Sequence, residues 1–63
     1  MKIFLGEVRS KKNITIRALA EKSGVAKSHI EKIEAGEANP TIEVMCRLAK
    51  ALEIHVYELF SCE

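Results

Sequence analysis

Residues 16–35, IRALAEKSGVAKSHIEKIEA, constrain the fold of this chain more than any other stretch. They read as two short amphipathic helices joined by a tight turn at Gly24. Ala20 stands four residues before that glycine, and Ile30 and Ile33 lie beyond it. Two helices that cross at close range need a small residue at the contact, and Ala20 supplies one. The turn needs a residue that tolerates positive φ, and Gly24 has no Cβ to clash there. The second helix then pins itself to a core through Val25, Ile30 and Ile33. Its opposite face carries Lys27, Ser28, Glu31 and Lys32. This is the geometry of a helix-turn-helix. A polar face left open on a projecting helix is how such a unit reads the major groove of DNA.

The rest of the chain is compatible with that unit. At 63 residues there is room for one core, so residues 1–63 are expected to form a single domain, with the helix-turn-helix at about 16–35. Apolar residues make up 48% of the chain, which argues against disorder. No apolar run approaches the ~20 residues of a membrane span. The opening MKIFLGEVRSKK has a short apolar cluster and turns charged at once, unlike a secretory signal. The expected compartment is the cytoplasm, with no membrane partner.

The net charge of +1 conceals an asymmetry. Residues 1–32 hold eight basic and three acidic side chains, a balance of +5. Residues 33–63 hold two basic and six acidic ones, a balance of −4. The basic half contains the helix-turn-helix. Charge of one sign gathered on one side is an electrostatic footprint for nucleic acid, although a solvated face would look the same by composition alone.

Periodicity and end signals predict five helices and no strand, an all-α fold. The first helix spans about 2–12, with Leu5 and Val8 inward, joined by Met1 and Phe4. Gly6 within it costs about 1 kcal/mol relative to alanine. Asn13 ends it in a left-handed conformation. Thr15 caps a second helix over 16–22. The third covers 27–35 and stops at Gly36. After the loop GEANP, Thr41 caps a fourth helix over 42–52, whose inward stripe is Ile42, Met45, Leu48, Ala49 and Leu52. A short fifth helix over 56–60 folds Val56, Leu59 and Phe60 back onto the core.

Across nearly its full length the sequence resembles the lambda-repressor/Cro-like helix-turn-helix family, of the xenobiotic-response-element type. The resemblance rests on Arg9, Thr15, Leu19-Ala20, Gly24-Val25, Ile30, Ile33-Glu34, Gly36, Asn39-Pro40, Leu48-Ala49, Ala51-Leu52 and Glu58-Leu59-Phe60. It implies a compact five-helix DNA-binding domain with the helix-turn-helix at helices 2 and 3. It also implies a sequence-specific transcriptional regulator, a repressor, that binds a palindromic operator on double-stranded DNA as a homodimer. The family's base-contacting positions fall here on Lys27, Ser28 and Lys32, with His29 and Glu31 beside them. Lysine suits guanine O6 and N7, so Lys27 and Lys32 lean towards G-containing half-sites. The family's phosphate-contacting positions fall on Thr15, Ile16, Arg17, Asn39 and Thr41. Arg9 and Glu34 match a pair that forms an internal salt bridge between helices 1 and 3, and Ala20 and Gly24 match the structural positions of the turn.

Several residues depart from the family pattern. Ile16 replaces a glutamine that often bonds a phosphate and braces the third helix. Ala26 replaces a Ser or Thr cap, a loss of about 1 kcal/mol. Glu37-Ala38 replaces basic loop residues, Glu53 a glycine, and His55 a Ser or Thr cap. These departures keep a second class of function open: a protein-interaction module such as a toxin-binding antitoxin or a coactivator-bridging domain. Such a module would use the acidic half and exposed apolar positions such as Val44 and Tyr57, residues that could equally form a homodimer interface.

No enzyme, cofactor or metal site is expected. Cys46, at the core edge of the fourth helix, and Cys62 in the tail lack the spacing of a zinc site and read as free thiols. No serine or cysteine has a base partner, and no glycine loop is built to cradle phosphate.

Overall fold

Threonine starts and left-handed stops set most of the helix boundaries. The computed structural model describes residues 1–62. Its elements are β1 (Lys2–Ile3), α1 (Leu5–Lys11), α2 (Ile16–Ser23), α3 (Lys27–Glu34), α4 (Ile42–Leu52), a 3₁₀ turn (Val56–Glu58) and β2 (Phe60–Ser61). Thr15 Oγ1 accepts the Ala18 N–H at 3.0 Å, and Thr41 Oγ1 accepts the Val44 N–H at 3.2 Å. Each cap satisfies one of the donors that the first helical turn leaves without a carbonyl. Asn13, Gly24, Gly36 and Glu53 close α1 to α4 in turn, with φ between 57° and 78°. After α3, Glu37 N–H donates to Lys32 O and Gly36 N–H to Ile33 O, the paired bonds of a Schellman stop.

The core consists of Leu5, Leu19, Val25, Ile30, Ile33, Met45, Leu48, Ala49, Leu52 and Leu59. Four of these lie at 45, 48, 49 and 52, one stripe of α4 at helical spacing. α2 packs against both α3 and α4, and α1 packs against α3. Ala20 is half-buried and packed on the core.

Among the described residues there are four α-helices, not five, and residues 2–3 and 60–61 depart from the all-α expectation. Lys2 pairs with Ser61 and Ile3 with Phe60 in an antiparallel ladder, and Phe4 N–H donates to Leu59 O at 2.7 Å. The backbone of residues 2–4 is therefore held by the far end of the chain, so α1 starts only at Leu5. The expected helix over 56–60 is a three-residue 3₁₀ turn, because Phe60 and Ser61 are drawn out into β2. Met1 is exposed, and Phe4 is only half-buried at the entry of α1.

Two expected inward residues of α4 also face out. Ile42 is 70% exposed. It sits in the first turn, ahead of the core stripe, with only Thr41 before it on that helix. Cys46 is exposed, not at the core edge, since the buried stripe passes through its neighbour Met45.

Candidate nucleic-acid interface

α3 is fastened on one side and open on the other. Ile30 and Ile33 are fully buried, and Val25 anchors the segment just before the helix. The opposite face presents Lys27, Ser28, Glu31 and Lys32, all exposed, with His29 half-buried at its edge. The structure thus gathers five predicted base-reading positions on one helix, four of them exposed. Lysine ammonium groups there can donate to guanine, a carboxylate can accept from cytosine N4, and a serine hydroxyl can do either. Ala26 offers no side-chain cap. His29 N–H donates to Ala26 O, and the N–H groups of Lys27 and Ser28 are left to whatever approaches that end.

The turn that sets α3 against α2 has two local locks. Gly24 takes φ 76° and its N–H donates to Ala20 O. Ser23 Oγ accepts the Val25 N–H at 3.1 Å, which fixes the chain on the far side of the glycine. The Ser-Gly pair signals a turn in the sequence, but this role of Ser23 was not anticipated.

Arg9 braces α3 from behind. Its Nε donates to Glu34 Oε2 at 2.7 Å and its Nη2 to Glu34 Oε1 at 3.0 Å, a two-pronged bridge from α1 to α3. Nη1 donates to Ile14 O at 2.9 Å, so the same guanidinium also holds the connection into α2. The hydrogen bond to Glu34 raises the Arg9 pKa, partial burial opposes that, and the nearby Glu34 charge adds to it. The guanidinium therefore stays charged throughout the pH range of any ordinary measurement.

Gly6 leaves room for this bridge. A Cβ at that position would lie 3.3 Å from Glu34 Oε1. The glycine that looked like a flaw in α1 gives the carboxylate room to lie against the helix. Its only signal in the sequence is that a glycine inside a helix is otherwise unfavourable.

The predicted phosphate contacts lie at helix starts and in the α3–α4 loop. Thr15, Arg17, Asn39 and Thr41 are exposed. Thr15 and Thr41 use their hydroxyl oxygens as cap acceptors, which leaves each O–H able to donate outward. Ile16 is different: its side chain packs against the core. It can offer a phosphate only its backbone N–H, which has no carbonyl to meet inside the helix.

A second exposed feature lies around the 3₁₀ turn. Tyr57 is 66% exposed and stacks on His55, with ring centroids 5.1 Å apart and planes 7° off parallel. Glu58 Oε2 accepts the His55 N–H at 2.8 Å, so this turn is capped from its own third residue. Val44 is half-buried against the core. Among the described residues, no three His, Cys, Asp or Glu side chains converge as metal ligands, and no helix is long and apolar enough to cross a membrane.

Comparison with known proteins finds relatives in sequence and in fold. Residues 5–59 match the helix-turn-helix family. The chain is 39% identical over 56 residues to the HTH-type transcriptional regulator SlrR of Bacillus subtilis, covering 87% of this chain and 37% of SlrR. It is 35% identical over 54 residues to the HTH-type transcriptional regulator SinR of the same organism, covering 84% of this chain and 49% of SinR. The chain thus spans half or less of these curated relatives. Among solved structures, the restriction-modification controller protein C.AhdI of Aeromonas hydrophila superposes with a TM-score of 0.85 at 36% identity. That match covers 89% of this chain and 85% of C.AhdI.

Proposed function

The chain belongs to the helix-turn-helix family, and from that premise we propose that it is a sequence-specific DNA-binding transcriptional regulator, a repressor, with α3 as its reading helix. One observation carries the reading: Ile30 and Ile33 lock one face of α3 into the core while Lys27, Ser28, Glu31 and Lys32 stay exposed on the other. Base contacts fall to those four residues and His29. Phosphate contacts fall to Thr15, Arg17, Asn39 and Thr41, and to the N–H groups that open α2, including that of Ile16. Arg9, Glu34, Ala20 and Gly24 hold the helices in register. The likeness to SlrR, SinR and C.AhdI supports the reading, as does the basic charge of the half that holds α3.

The operator is an inverted repeat bound by two copies, each presenting one α3 to a major groove about one helical turn from the other. The exposed Tyr57–His55 stack is the surface we assign to pairing, with a second copy or with another protein. This domain acts in the cytoplasm, without a catalytic step or a cofactor of its own.

Selection of bound duplexes from a random pool at physiological salt tests the reading. An enriched inverted repeat is expected. Lys27→Ala and Lys32→Ala should each weaken the selected site by about 1–3 kcal/mol and relax the preference at one position. Binding without enrichment that vanishes with added salt would leave only nonspecific attraction and would remove the reading.

A further inference from the structure

The acidic half of the chain contains only two basic residues, Arg47 and Lys50, and both turn towards the same place. Together with Lys22, Ser23 and Ala51 they line a groove of about 470 Å³ between the last turn of α2 and the second half of α4. Three of the five lining residues are cations, and none of the five is acidic. Lys22 and Lys50 are exposed, and among the described residues no ion pair involves either. Arg47 holds Glu43 through Nη2 at 3.0 Å, in a pair whose side chains are 53% and 74% exposed. Such an open pair contributes little and exchanges readily. Its other terminal nitrogen, Nη1, lies 3.7 Å from where a Cβ on Gly24 would stand, so the turn of the helix-turn-helix forms one wall of the groove. Ser23 Oγ accepts the Val25 N–H, which leaves its proton for an outside acceptor.

We propose that this groove is a phosphate-binding site distinct from the contacts assigned above. Two ammonium groups, one guanidinium and one hydroxyl donor surround an opening large enough for a phosphate or diphosphate group. The groove sits at the C-terminal turns of α2 and α4. The capped starts of those helices, Thr15 and Thr41, lie some 10–15 Å away along their axes, at 1.5 Å per residue. Lysine at a helix C-terminus also complements the helix dipole, which accounts for Lys22 and Lys50 singly. It does not account for their convergence with Arg47 on one opening. The phosphate is carried either by a small phosphorylated ligand or by the backbone of DNA flanking the operator.

The test titrates isotope-labelled protein with sodium pyrophosphate at constant ionic strength and follows backbone amides by NMR. It then measures DNA affinity against salt. A variant with Lys22→Met and Lys50→Met keeps the apolar stems, and a variant with Lys11→Met and Lys12→Met controls for lost charge. For a small phosphorylated ligand, pyrophosphate shifts the amides of Ser23, Gly24, Lys50 and Ala51. Its dissociation constant then rises at least about tenfold in the groove variant and not in the control, since two of three charges are gone. For flanking DNA, the slope of log affinity against log salt falls by about 1–2 in the groove variant alone. The proposal is overturned if the wild-type groove amides do not move and the slope is unchanged. It is equally overturned if pyrophosphate shifts gather on α3, or if the groove variant only loses stability.

Discussion

Removing the Arg9 guanidinium should cost this protein a large part of its stability. In Arg9→Met the stem and its packing survive, but Glu34 loses both of its charge-assisted hydrogen bonds and Ile14 O loses its donor. A hydrogen bond to a charged group contributes about 1.5–3 kcal/mol, and these three share one side chain, so they do not add. Stranding one member of a buried pair costs about 3–5 kcal/mol. Here the side chains are 18% and 15% exposed, so water recovers part of the loss. The expected cost is therefore about 3 kcal/mol. A chain of 63 residues has a total stability on the order of 3–9 kcal/mol. Urea unfolding followed by circular dichroism at a constant m-value measures the change. The second half of a double-mutant cycle makes the argument strict. Glu34→Gln leaves Arg9 a neutral acceptor and should cost about 1 kcal/mol, as for an ordinary hydrogen bond. Arg9→Met with Glu34→Gln should be more stable than the two single losses imply, because no uncompensated charge remains. A cost below ~1 kcal/mol for Arg9→Met, or strict additivity of the pair, would refute the view that Arg9 clamps α1, α2 and α3 together.

Four further substitutions follow from particular positions. Gly6→Ala should lose the usual helical gain of about 1 kcal/mol, because its Cβ would press on Glu34 at 3.3 Å; combined with Glu34→Ala the gain should reappear in the same unfolding assay. Glu53→Gly should relieve a non-glycine residue held at φ 58° and stabilise by about 1 kcal/mol, raising Tm by roughly 4–8 °C in a calorimetric scan. Thr15→Ala and Thr41→Ala should each destabilise by about 1 kcal/mol, and a cost near zero for either would mean that its observed cap bond contributes nothing net.

What could be read in advance was whatever a short window of residues decides by itself. Thr15, Thr41, Asn13, Gly24 and Gly36 mark their helix ends through local hydrogen bonds and local φ, so α2, α3 and α4 fall within a residue of where the signals put them. The exposed face of α3 follows from the same periodicity that buries Ile30 and Ile33. The two-residue strands were not legible, because Lys2-Ile3 carries no alternation of its own and becomes a strand only when Phe60-Ser61 arrives. Hydrophobicity misplaced Met1 and Ile42, which are apolar but lie beyond the reach of the core. Glu53 betrays its left-handed backbone only by standing where the family has a glycine, since that conformation is imposed by the turn closing α4 and not by the residue itself. The candidate site divides in the same way. The reading residues lie on one helix and could be named from spacing. The service of Gly6 to Glu34 and the meeting of Lys22 with Arg47 and Lys50 exist only once separate helices have packed.

The pairing of residues 2–3 with 60–61 sets a timetable for the chain as well as an architecture. A ribosome delivers residues in order, so α1 emerges before α2, α3 and α4, yet the strand that ties down its entry is made after all of them. Until then the helix-turn-helix can collapse around Leu19, Ile30 and Leu48 while the segment before Leu5 remains unanchored. That pairing thus closes only after α4 has been made, and a contact so distant in sequence is slow to find. Chains that stop just before Phe60 would carry a nearly finished core with an unlatched front edge, the form that proteases meet first.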